Sequence, residues 1–542
     1  MLTSHENLCR SKLMCAPASS QFQFPMEHSY YALLAAIGIG TFIVWLLHTL
    51  TAGPRLPPGP TISWFGFRCT GVKMPTAYPW LEFAKWQKTF GDMIYVNVFR
   101  NPILIVNSAE AAQDLLETKS AIYSSRPVRT MQSEVMGFSW LFSGMPYGPL
   151  HRQHRAMFRT HFQAKVMPKY HPTLVNSAHT LLQNLVRTPD DLVNHLRRTT
   201  TAIVLEVCYG HRVAAEGDEY VKLADEAITG VSQSAQFGAY LVDYIPLLKY
   251  VPAWMPGAQF QRDGLKSRKL GHEMLSRPFE MVKEQLANGR AEPCMITAEL
   301  ESATDSAHEM LIKGTAATAY AGGSDTTLSI LMSFILAMVL HPEIQARAQA
   351  ELDRVVPGDR LPTFADRTRL PFIECIVWEC LRWHPVANLA LAHYSTEDDT
   401  YRGFRIPRGT TVLANIWAML HEPSRYPSPS LFNPDRYSGP NKSTGDEINP
   451  LPDLAYGFGR RICPGRFLAT DTIWIVVASV LDAYNIVKPL DKAGNEHEPR
   501  VEYTPGMFSR PMPFEYRIAP RSAKAAALIE QMVETDANAP SA

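Results

Sequence analysis

The chain has 542 residues, 46% of them hydrophobic, and its 52 Lys and Arg residues balance 52 Asp and Glu residues. This composition excludes an intrinsically disordered protein, which combines low hydrophobicity with high net charge. It also argues against a nucleic-acid-binding protein, which is normally basic because it neutralises phosphates. The eight cysteines form no CxxC pair and no His/Cys cluster with zinc spacing, which disfavours a zinc module and a disulfide-rich scaffold.

The N-terminal segment predicts a membrane anchor. Residues 1–29 are mostly polar and predict a flexible tail, whereas residues 30–50 are apolar and free of Asp, Glu, Lys and Arg. A helix of that length spans roughly 30 Å, the thickness of a bilayer core. A cleaved signal peptide is the alternative, but its apolar region is about 7–15 residues long and ends at a small-residue site. Here the run leads into residues 51–60, a proline-rich segment that predicts a stiff hinge.

Residues 61–521 predict one helix-dominated catalytic domain with small β-sheets. Two β-prone runs at 95–99 and 103–106 flank a short turn and predict a hairpin. Further strands are expected near residues 401–406 and 410–414, the second following a Pro-Arg-Gly turn.

The clearest helix prediction covers Ser306 to Leu340 and ends at His341-Pro342. Within it, residues 321–327 read AGGSDTT, and each glycine costs up to about 1 kcal/mol in a helix interior. Two interpretations stay open: function overrides helix propensity at this point, or the glycines mark a helix break or a close helix–helix contact. After the catalytic domain, residues 522–542 are polar and Ala-rich, and predict a loose tail.

One cysteine differs from the others in its surroundings. Residues 456–465 read YGFGRRICPG and place Cys463 among three glycines and two arginines. Glycine allows a flat ligand to approach the backbone closely. Arg460, Arg461 and the helix expected after Gly465 would lower the thiol pKa. A single axial thiolate can hold haem iron for O–O cleavage, yet from spacing alone a buried cysteine in a tight turn is an equally good interpretation.

This segment resembles the haem-binding loop of the cytochrome P-450 family, whose pattern is Phe-x-x-Gly-x-Arg-x-Cys-x-Gly. Gly459, Arg461, Cys463 and Gly465 match it, and Tyr456 replaces the opening phenylalanine. The resemblance implies that Cys463 is the axial iron ligand and that Arg461 pairs with a haem propionate. Tyr456, Gly459 and Gly465 are implied to contact the cofactor as well.

A second set of residues resembles the family's Glu-x-x-Arg helix and the Pro-x-Arg-aromatic segment that completes its ion pair. Glu379 and Arg382 stand three residues apart, on one face of a predicted helix, and Arg436 lies in Pro434-Asp435-Arg436-Tyr437. Alone, such a pair is common and contributes about 0–1 kcal/mol when exposed. The resemblance implies a structural network that supports the cysteine loop.

The glycine-containing stretch of the long helix is similar to the family's oxygen-activation pattern, at Gly322, Gly323, Asp325, Thr326 and Thr327. The resemblance implies a distorted turn that leaves a groove over the iron for O2 and water. Asp325 and Thr326 are then the acid and the alcohol that deliver protons.

Two further histidines resemble propionate-binding positions of the family. His151 stands at the tryptophan position of a Trp-x-x-x-Arg helix, in which Arg155 is retained. Imidazole and indole can both donate a hydrogen bond, so the resemblance implies that both residues hold a propionate. His393 ends a segment that often reads Pro-Leu-Gly-x-Pro-His in the family, although Asn388 and Ala390 replace its Pro and Gly here. For either histidine alone, a surface or core role is the alternative.

The resemblance covers about residues 54–521 and looks like microsomal fungal members. It implies a membrane-anchored monooxygenase that contains haem b, uses O2 and receives electrons from NADPH through a separate reductase. The chain shows no nucleotide-binding glycine turn of its own. Such a protein is expected in the endoplasmic reticulum membrane as a single-pass protein, with its catalytic domain facing the cytoplasm.

The aliphatic segments expected around the substrate predict a neutral lipophile, such as a terpenoid or a polyketide of fungal secondary metabolism. Two other functions stay open. One is a same-fold isomerase or dehydratase that does not use O2, which the Asp325–Thr326 pair disfavours. The other is a non-catalytic haem sensor or carrier.

Overall fold

The computed structural model describes residues 34–43, 55–60, 62–64, 67–69, 74–98, 100–214, 217–235, 239–439 and 452–537. Two compact units are present, Met1–Arg55 and Leu56–Ala542. The described part of the first is the apolar helix α1 (Leu34–Ile43). The second contains the other helices and strands.

The remaining helices of the described residues are α2 (Pro79–Phe90), α3 (Ala109–Gln113), α4 (Ser120–Tyr123), α5 (Pro149–Phe162), α6 (His171–Arg187), α7 (Leu192–Tyr209), α8 (Glu219–Ala235), α9 (Gln259–Ala287), α10 (Met295–Leu300), α11 (Ser306–Leu340), α12 (Pro342–Val355), α13 (Pro371–Trp383), α14 (Ile416–Leu420), α15 (Arg466–Ala483) and α16 (Ala523–Ala537). The strands are β1 (Ile62–Trp64), β2 (Phe67–Cys69), β3 (Met93–Val98), β4 (Asn101–Val106), β5 (His393–Tyr394), β6 (Asp399–Tyr401), β7 (Phe404–Ile406), β8 (Thr411–Ala414), β9 (Tyr484–Val487) and β10 (Arg517–Pro520). This architecture confirms a mainly helical fold with small sheets.

The largest sheet has four strands in the order β3-β4-β8-β5. The predicted hairpin is its first pair: β3 and β4 are antiparallel, with Tyr95 opposite Leu104. Strand β8 then pairs with β4 in parallel, and β5 pairs with β8 antiparallel. The run predicted near residues 401–406 is a separate hairpin, because the chain turns between β6 and β7. Strand β5 thereby carries His393 to the edge of the sheet.

The core of the second unit is built around α11 and α15. Helix α11 begins after Asp305, whose carboxylate accepts the His308 N–H at 2.8 Å. It ends before Pro342, which starts α12. Both bounds match the sequence prediction. Nearly all of α15 is buried, and it packs on α6, α11 and α13.

Among the described residues, α11 alone is long and apolar enough to cross a bilayer, but 78% of its most apolar window is buried inside the protein. That burial identifies it as a core helix. Helix α1 is apolar but shorter. The rest of the predicted anchor, residues 30–33 and 44–50, lies outside the described residues, as do residues 1–29.

Two predicted boundaries need correction. The sequence predicts a proline-rich hinge at residues 51–60, but the second half of this segment packs on the catalytic body. The Pro58 carbonyl accepts the Tyr95 N–H at 2.9 Å, and a Cβ on Gly59 would overlap the Tyr95 backbone. The loose C-terminal tail at 522–542 is wrong for residues 523–537. These form α16, which packs on α6 and α15 and buries Ile529. An Ala-rich segment favours a helix, and the buried isoleucine attaches it.

Candidate active site

A cavity of about 500 Å³ lies between the Cys463 loop and the middle of α11. Cys463, Tyr456 and Gly465 line one wall. Gly322 and Thr326 line another. Cationic and imidazole side chains from three separate segments also reach it, namely Arg126, His393 and Arg461. The cavity is therefore lined by the thiol of Cys463, the hydroxyl of Thr326 and the guanidinium groups of Arg126 and Arg461.

The cysteine loop is held by its own backbone and by one obligatory glycine. The Tyr456 carbonyl accepts the Cys463 N–H at 2.8 Å, and the Tyr456 hydroxyl bonds the Thr470 hydroxyl at 2.8 Å. Gly459 has φ +51°, and a Cβ there would overlap the Leu116 carbonyl. A side chain is excluded at this position both by conformation and by space. Gly465 precedes α15 as its N-cap residue.

Burial raises the pKa of the Cys463 thiol, opposed by the Gly465 N–H and by the charges of Arg155 and Arg466. The expectation that Arg460 and Arg461 lower this pKa is therefore wrong. The thiol is desolvated, and the cations that act on it are different ones. Arg460 instead donates to the Tyr147 hydroxyl at 2.9 Å and lies over its ring. Deprotonation of Cys463 would accompany binding of a metal, as it does for thiolate ligands in general.

Three guanidinium groups concentrate positive charge beside the cavity. Arg461 donates to the carbonyls of Ser124 and Met145, each at 2.6 Å, while its buried Nη1 has no hydrogen-bond partner in the part of the chain that the structure describes. Burial, followed by the charge of Arg155, lowers the pKa of Arg461 to about 10. Arg155 donates to the Ile462 carbonyl at 2.5 Å.

Arg126 is the functional candidate that sequence reasoning missed. It is buried, and the N–H groups of its Nη1 donate to the carbonyls of Leu391 and Ala392 at 2.6 and 2.7 Å. The positive charge of Arg461 acts on its guanidinium group. Burial lowers its pKa well below the usual value. Residues 124–127 read Ser-Ser-Arg-Pro. This short segment does not reveal the role of Arg126, because the contacts that bring Arg126 to the cavity come from residues about 265 positions away.

His151 is a buried neutral imidazole. Its ring stacks on Phe142 with centroids 4.6 Å apart, and neither ring nitrogen has a hydrogen-bond partner within the described part of the chain. Burial, then the positive charges of Arg461, Arg155 and Arg126, lower its pKa to about 3. It therefore offers one N–H donor rather than a partial charge near neutral pH.

His393 is also buried, and its Nδ1 lies 2.9 Å from the Tyr123 carbonyl. Burial and the charge of Arg126 lower its pKa well below the usual value. Ala390, which replaces the family's glycine, adopts φ +51°. The backbone thus takes a left-handed conformation that glycine favours, at a cost of about 1–2 kcal/mol for alanine.

These residues fit haem. Buried positive charge is expensive unless it is paired, yet none of Arg126, Arg155 and Arg461 forms an ion pair with a carboxylate of the described chain. Two carboxylates of a ligand would supply that pairing. Nη1 of Arg461 and the single N–H of neutral His151, which find no hydrogen-bond partner among the described residues, are donors for them. Cys463 lines the same cavity, and a cysteine thiolate is one of the side chains that can hold haem iron.

The α11 wall differs from the expected distorted turn. The helix is continuous through residues 321–327, and the Thr326 hydroxyl donates to the Gly322 carbonyl at 2.7 Å. Gly322 and Gly323 both line the cavity. A Cβ on Gly322 would meet no atom within 4 Å, whereas a Cβ on Gly323 would overlap Val204 of α7. The close helix–helix contact therefore explains Gly323, and the functional interpretation stays a prediction.

Asp325 does not line the same cavity as Thr326. Its carboxylate pairs with Arg510 at 3.0 Å and faces a second cavity of about 240 Å³. Successive residues on a helix point in directions about 100° apart, so the two side chains predicted to act together lie on different walls.

The predicted ion-pair network is present and fully buried. Both Glu379 oxygens accept from Arg382, each at 2.7 Å, and Glu379 also accepts from Arg436 at 3.3 Å and from the Asn433 N–H at 2.8 Å. Arg382 donates further to the carbonyls of Leu420, Pro429 and Leu431. The network fixes the irregular segment after α14 against α13.

Comparison with known proteins gives a consistent result. The family model described as cytochrome P450 matches residues 57–513. The chain is 39% identical to cytochrome P450 monooxygenase 98 of Postia placenta, over 92% of this chain and 97% of that protein. It is 41% identical to a cytochrome P450 monooxygenase of Armillaria gallica, over 82% and 88% of the two chains. A solved zebrafish cytochrome P450 structure with abiraterone has a similar fold: its TM-score is 0.65 at 22% identity, covering 82% of this chain and all of that one.

Replacing Glu379 by Ala should destabilise the protein by about 3–5 kcal/mol, because two buried guanidinium groups lose their partner. Glu82→Ala is the matched control: Glu82 also pairs with a cation three residues on, Lys85, but on an exposed helix face, so its loss should cost about 1 kcal/mol or less. Chemical denaturation measures both. Equal losses of stability in the two variants would contradict a supporting role for the network.

Proposed function

The chain belongs to the cytochrome P450 family, and from that premise we propose that it oxidises a neutral lipophilic substrate while anchored to a membrane. Membership makes it a monooxygenase that contains haem b and takes electrons from a redox-partner reductase. When bound, the haem supplies O2 activation at a thiolate-ligated iron.

The observation that carries the proposal is that Cys463 and Thr326 line different walls of one cavity. The guanidinium groups of Arg126 and Arg461 line the same cavity. Cys463 would hold the iron. Arg126, Arg155 and Arg461 would pair with the two haem carboxylates, and the neutral imidazole of His151 would add one uncharged donor. The single N–H of neutral His393 donates to the Tyr123 carbonyl, so its other ring nitrogen is an acceptor. These contacts would orient the cofactor within the cavity that Cys463 and Thr326 line. Removing them would leave an uncompensated buried charge.

Thr326 is proposed to position a proton at the reacting oxygen. Its hydroxyl already donates to the Gly322 carbonyl, so its oxygen is free to accept a hydrogen bond from the cavity side. Asp325 is proposed to resupply protons from the second cavity, where it is partly exposed to solvent. An alcohol and an acid in these roles favour O2-dependent oxidation over a rearrangement that needs no protons from solvent.

The cavity wall supports a lipophilic substrate. Beyond the residues that would surround the haem, most side chains that line it are apolar or small, including Phe138, Leu141, Ile203, Val204, Met274 and Val386. Arg129 also lines the cavity, but its charge faces Asp243 and it lies near the Ser234 carbonyl. A neutral terpenoid or polyketide of fungal secondary metabolism is the proposed substrate class.

The proposed setting is the endoplasmic reticulum membrane, with residues 30–50 as a single-pass anchor and the catalytic domain in the cytoplasm. The apolar helix Leu34–Ile43 is consistent with that anchor. The proposed electron donor is an NADPH-dependent reductase bound to the same membrane.

Replacing Thr326 by Ala should uncouple the reaction rather than stop it. General acid–base groups contribute roughly 10²–10⁴-fold, so product formed per NADPH should fall by about tenfold or more while hydrogen peroxide rises. NADPH consumption should persist because the cysteine and the electron supply are unchanged. Product, NADPH and peroxide are assayed together after a substrate has been found by haem spectral shift.

Thr318→Ala is the control for Thr326→Ala. Thr318 lines the same cavity and its hydroxyl makes the same kind of bond, to the Gly314 carbonyl at 2.8 Å. If both variants keep the native ratio of product to NADPH, Thr326 is only a helix residue.

Deleting residues 1–50 should move the protein from the membrane to the soluble or peripheral fraction without loss of haem, because the catalytic unit begins at Leu56. Alkaline carbonate extraction distinguishes an integral from a peripheral protein. Release of the full-length chain by carbonate would contradict the transmembrane anchor.

A further inference from the structure

Helix α9 has two glycines on the face that it turns toward residues 131–141. Gly264 and Gly271 are both buried, and because they stand seven residues apart they lie on the same side of the helix, two turns from each other. Glycine is unfavourable in a helix interior, since its flexible backbone loses more entropy on folding than that of any other residue. A packing reason is therefore expected at both positions.

The two glycines contact different side chains of that segment. A Cβ on Gly264 would overlap Cγ1 of Val135, whereas a Cβ on Gly271 would lie 2.5 Å from Cζ and 2.8 Å from Cε2 of Phe138. The far end of the Phe138 ring thus rests directly on the backbone of α9. In a densely packed interior, only a residue without a side chain leaves room for the ring there.

Phe138 lies between Gly271 and the catalytic cavity. It is buried, it lines the cavity, and its ring packs beside that of Trp140 with centroids 5.4 Å apart. Val135 belongs to the same apolar cluster, but it is not among the described residues that line the cavity. The contact made by Gly271 therefore reaches the cavity through one aromatic ring, whereas the contact made by Gly264 does not.

The backbone around Phe138 is held in place, so the ring is the part that can move. The Phe138 N–H donates to the Gln132 carbonyl at 3.0 Å, and the Phe138 carbonyl accepts the Leu141 N–H at 3.1 Å. Arg268 of α9 donates from Nε to a carbonyl of the same segment at 3.1 Å and so ties the segment to the helix. A methyl group added at Gly271 would meet the far end of a side chain that rotates about two bonds. Because the cavity is the open space beside this ring, a displaced ring would enter it.

We propose that Gly271 is a positioning residue that sets the size of ligand that the cavity accepts. Because Gly271 has no side chain, the Phe138 ring withdraws onto α9 and leaves the adjoining part of the cavity open. Gly271 is not among the described residues that line the cavity, so it acts through Phe138. The proposal rests on the proposed function, in which this cavity binds a neutral lipophile, and it narrows that class to lipophiles with a broad, multi-ring core.

The test measures equilibrium binding to the full-length, haem-loaded protein by the shift of the haem spectrum, without turnover. The probes are imidazole, 4-phenylimidazole and 1-tritylimidazole, which share the iron-binding group and increase in bulk. Gly271→Ala should leave the Kd of imidazole unchanged and raise that of 1-tritylimidazole about tenfold or more, because one methyl group in an apolar pocket discriminates by that factor. The Kd of 4-phenylimidazole should change by an intermediate factor.

Gly264→Ala is the matched control. It adds the same methyl group to the same face of α9, but against Val135 instead of Phe138. It should therefore keep the native ratio of the Kd values for 1-tritylimidazole and imidazole, even where overpacking lowers stability. An equal change of this ratio in both variants would overturn the proposal, because the effect would then belong to the packing of α9 in general.

Phe138→Leu keeps the test decisive if Gly271→Ala alone does not fold. Leucine lacks the far end of the ring, so a chain that carries both substitutions has room for the methyl group. If Gly271 acts through the ring, this double variant should show the same Kd ratio as Phe138→Leu alone. A further loss of 1-tritylimidazole binding in the double variant would overturn the proposal, because the methyl group would then act by another route.

Amide hydrogen exchange gives a readout that needs neither a ligand nor turnover. Rotation of the ring leaves the hydrogen bonds of the Phe138 and Leu141 N–H groups in place, so both should exchange at the native rate in Gly271→Ala. Faster exchange at both amides would show that the segment has left α9, and it would overturn the proposal.

These outcomes are distinguishable from failure of the proposed function. A changed Kd ratio in a protein that oxidises no neutral lipophile would support the role of Gly271 and contradict the proposed function. A native ratio in Gly271→Ala, in a protein that does oxidise such substrates, would overturn only the role of Gly271. The absence of a spectral shift with all three probes would overturn both.

Discussion

Buried positive charge that no carboxylate of the described residues pairs with is the constraint on which the site depends. Arg126, Arg155 and Arg461 gather beside one cavity, and burial lowers the pKa of each. Backbone carbonyls satisfy part of their hydrogen bonding but none of their charge. Desolvated charges of this kind are unfavourable until an anion joins them. Haem binding would therefore contribute directly to the stability of the folded chain. The neutral state of His151 follows from its burial and then from the same positive charges.

The rest of the fold holds these arginines and Cys463 in fixed positions relative to one another. Helices α11 and α15 form the buried core, with the Cys463 loop at the start of one and Thr326 midway along the other. The Glu379 network is a contrasting case, because there the protein supplies its own carboxylate to two buried guanidinium groups. The arginines of the Glu379 network thus have their carboxylate partner within the polypeptide. Arg126, Arg155 and Arg461 have none among the described residues, and we propose that the carboxylates of a ligand supply it.

Local sequence signals predicted the parts of the structure that local interactions determine. The bounds of α11 follow from Asp305 at its start and Pro342 after its end. The cysteine loop is a short motif in which Gly459 adopts a positive φ and leaves no room for a side chain. What could not be predicted depends on distant contacts. Asp325 faces the second cavity because Arg510, 185 residues later, pairs with it. The pKa of Cys463 is raised by burial, which no neighbouring residue in the sequence reveals. The C-terminal residues form a docked helix because Ile529 finds a buried place.

The claim that Cys463 is the thiolate ligand at the centre of this site is tested most directly by the spectrum of the reduced CO complex. The native protein should show the Soret band that is diagnostic of thiolate-ligated haem, and Cys463→Ser should lose it. Cys294→Ser is the matched control, since Cys294 is buried and caps α10, a position at which serine is favourable. It should keep the band. A thiolate band that persists in Cys463→Ser, or is absent from the native haem protein, would contradict the account.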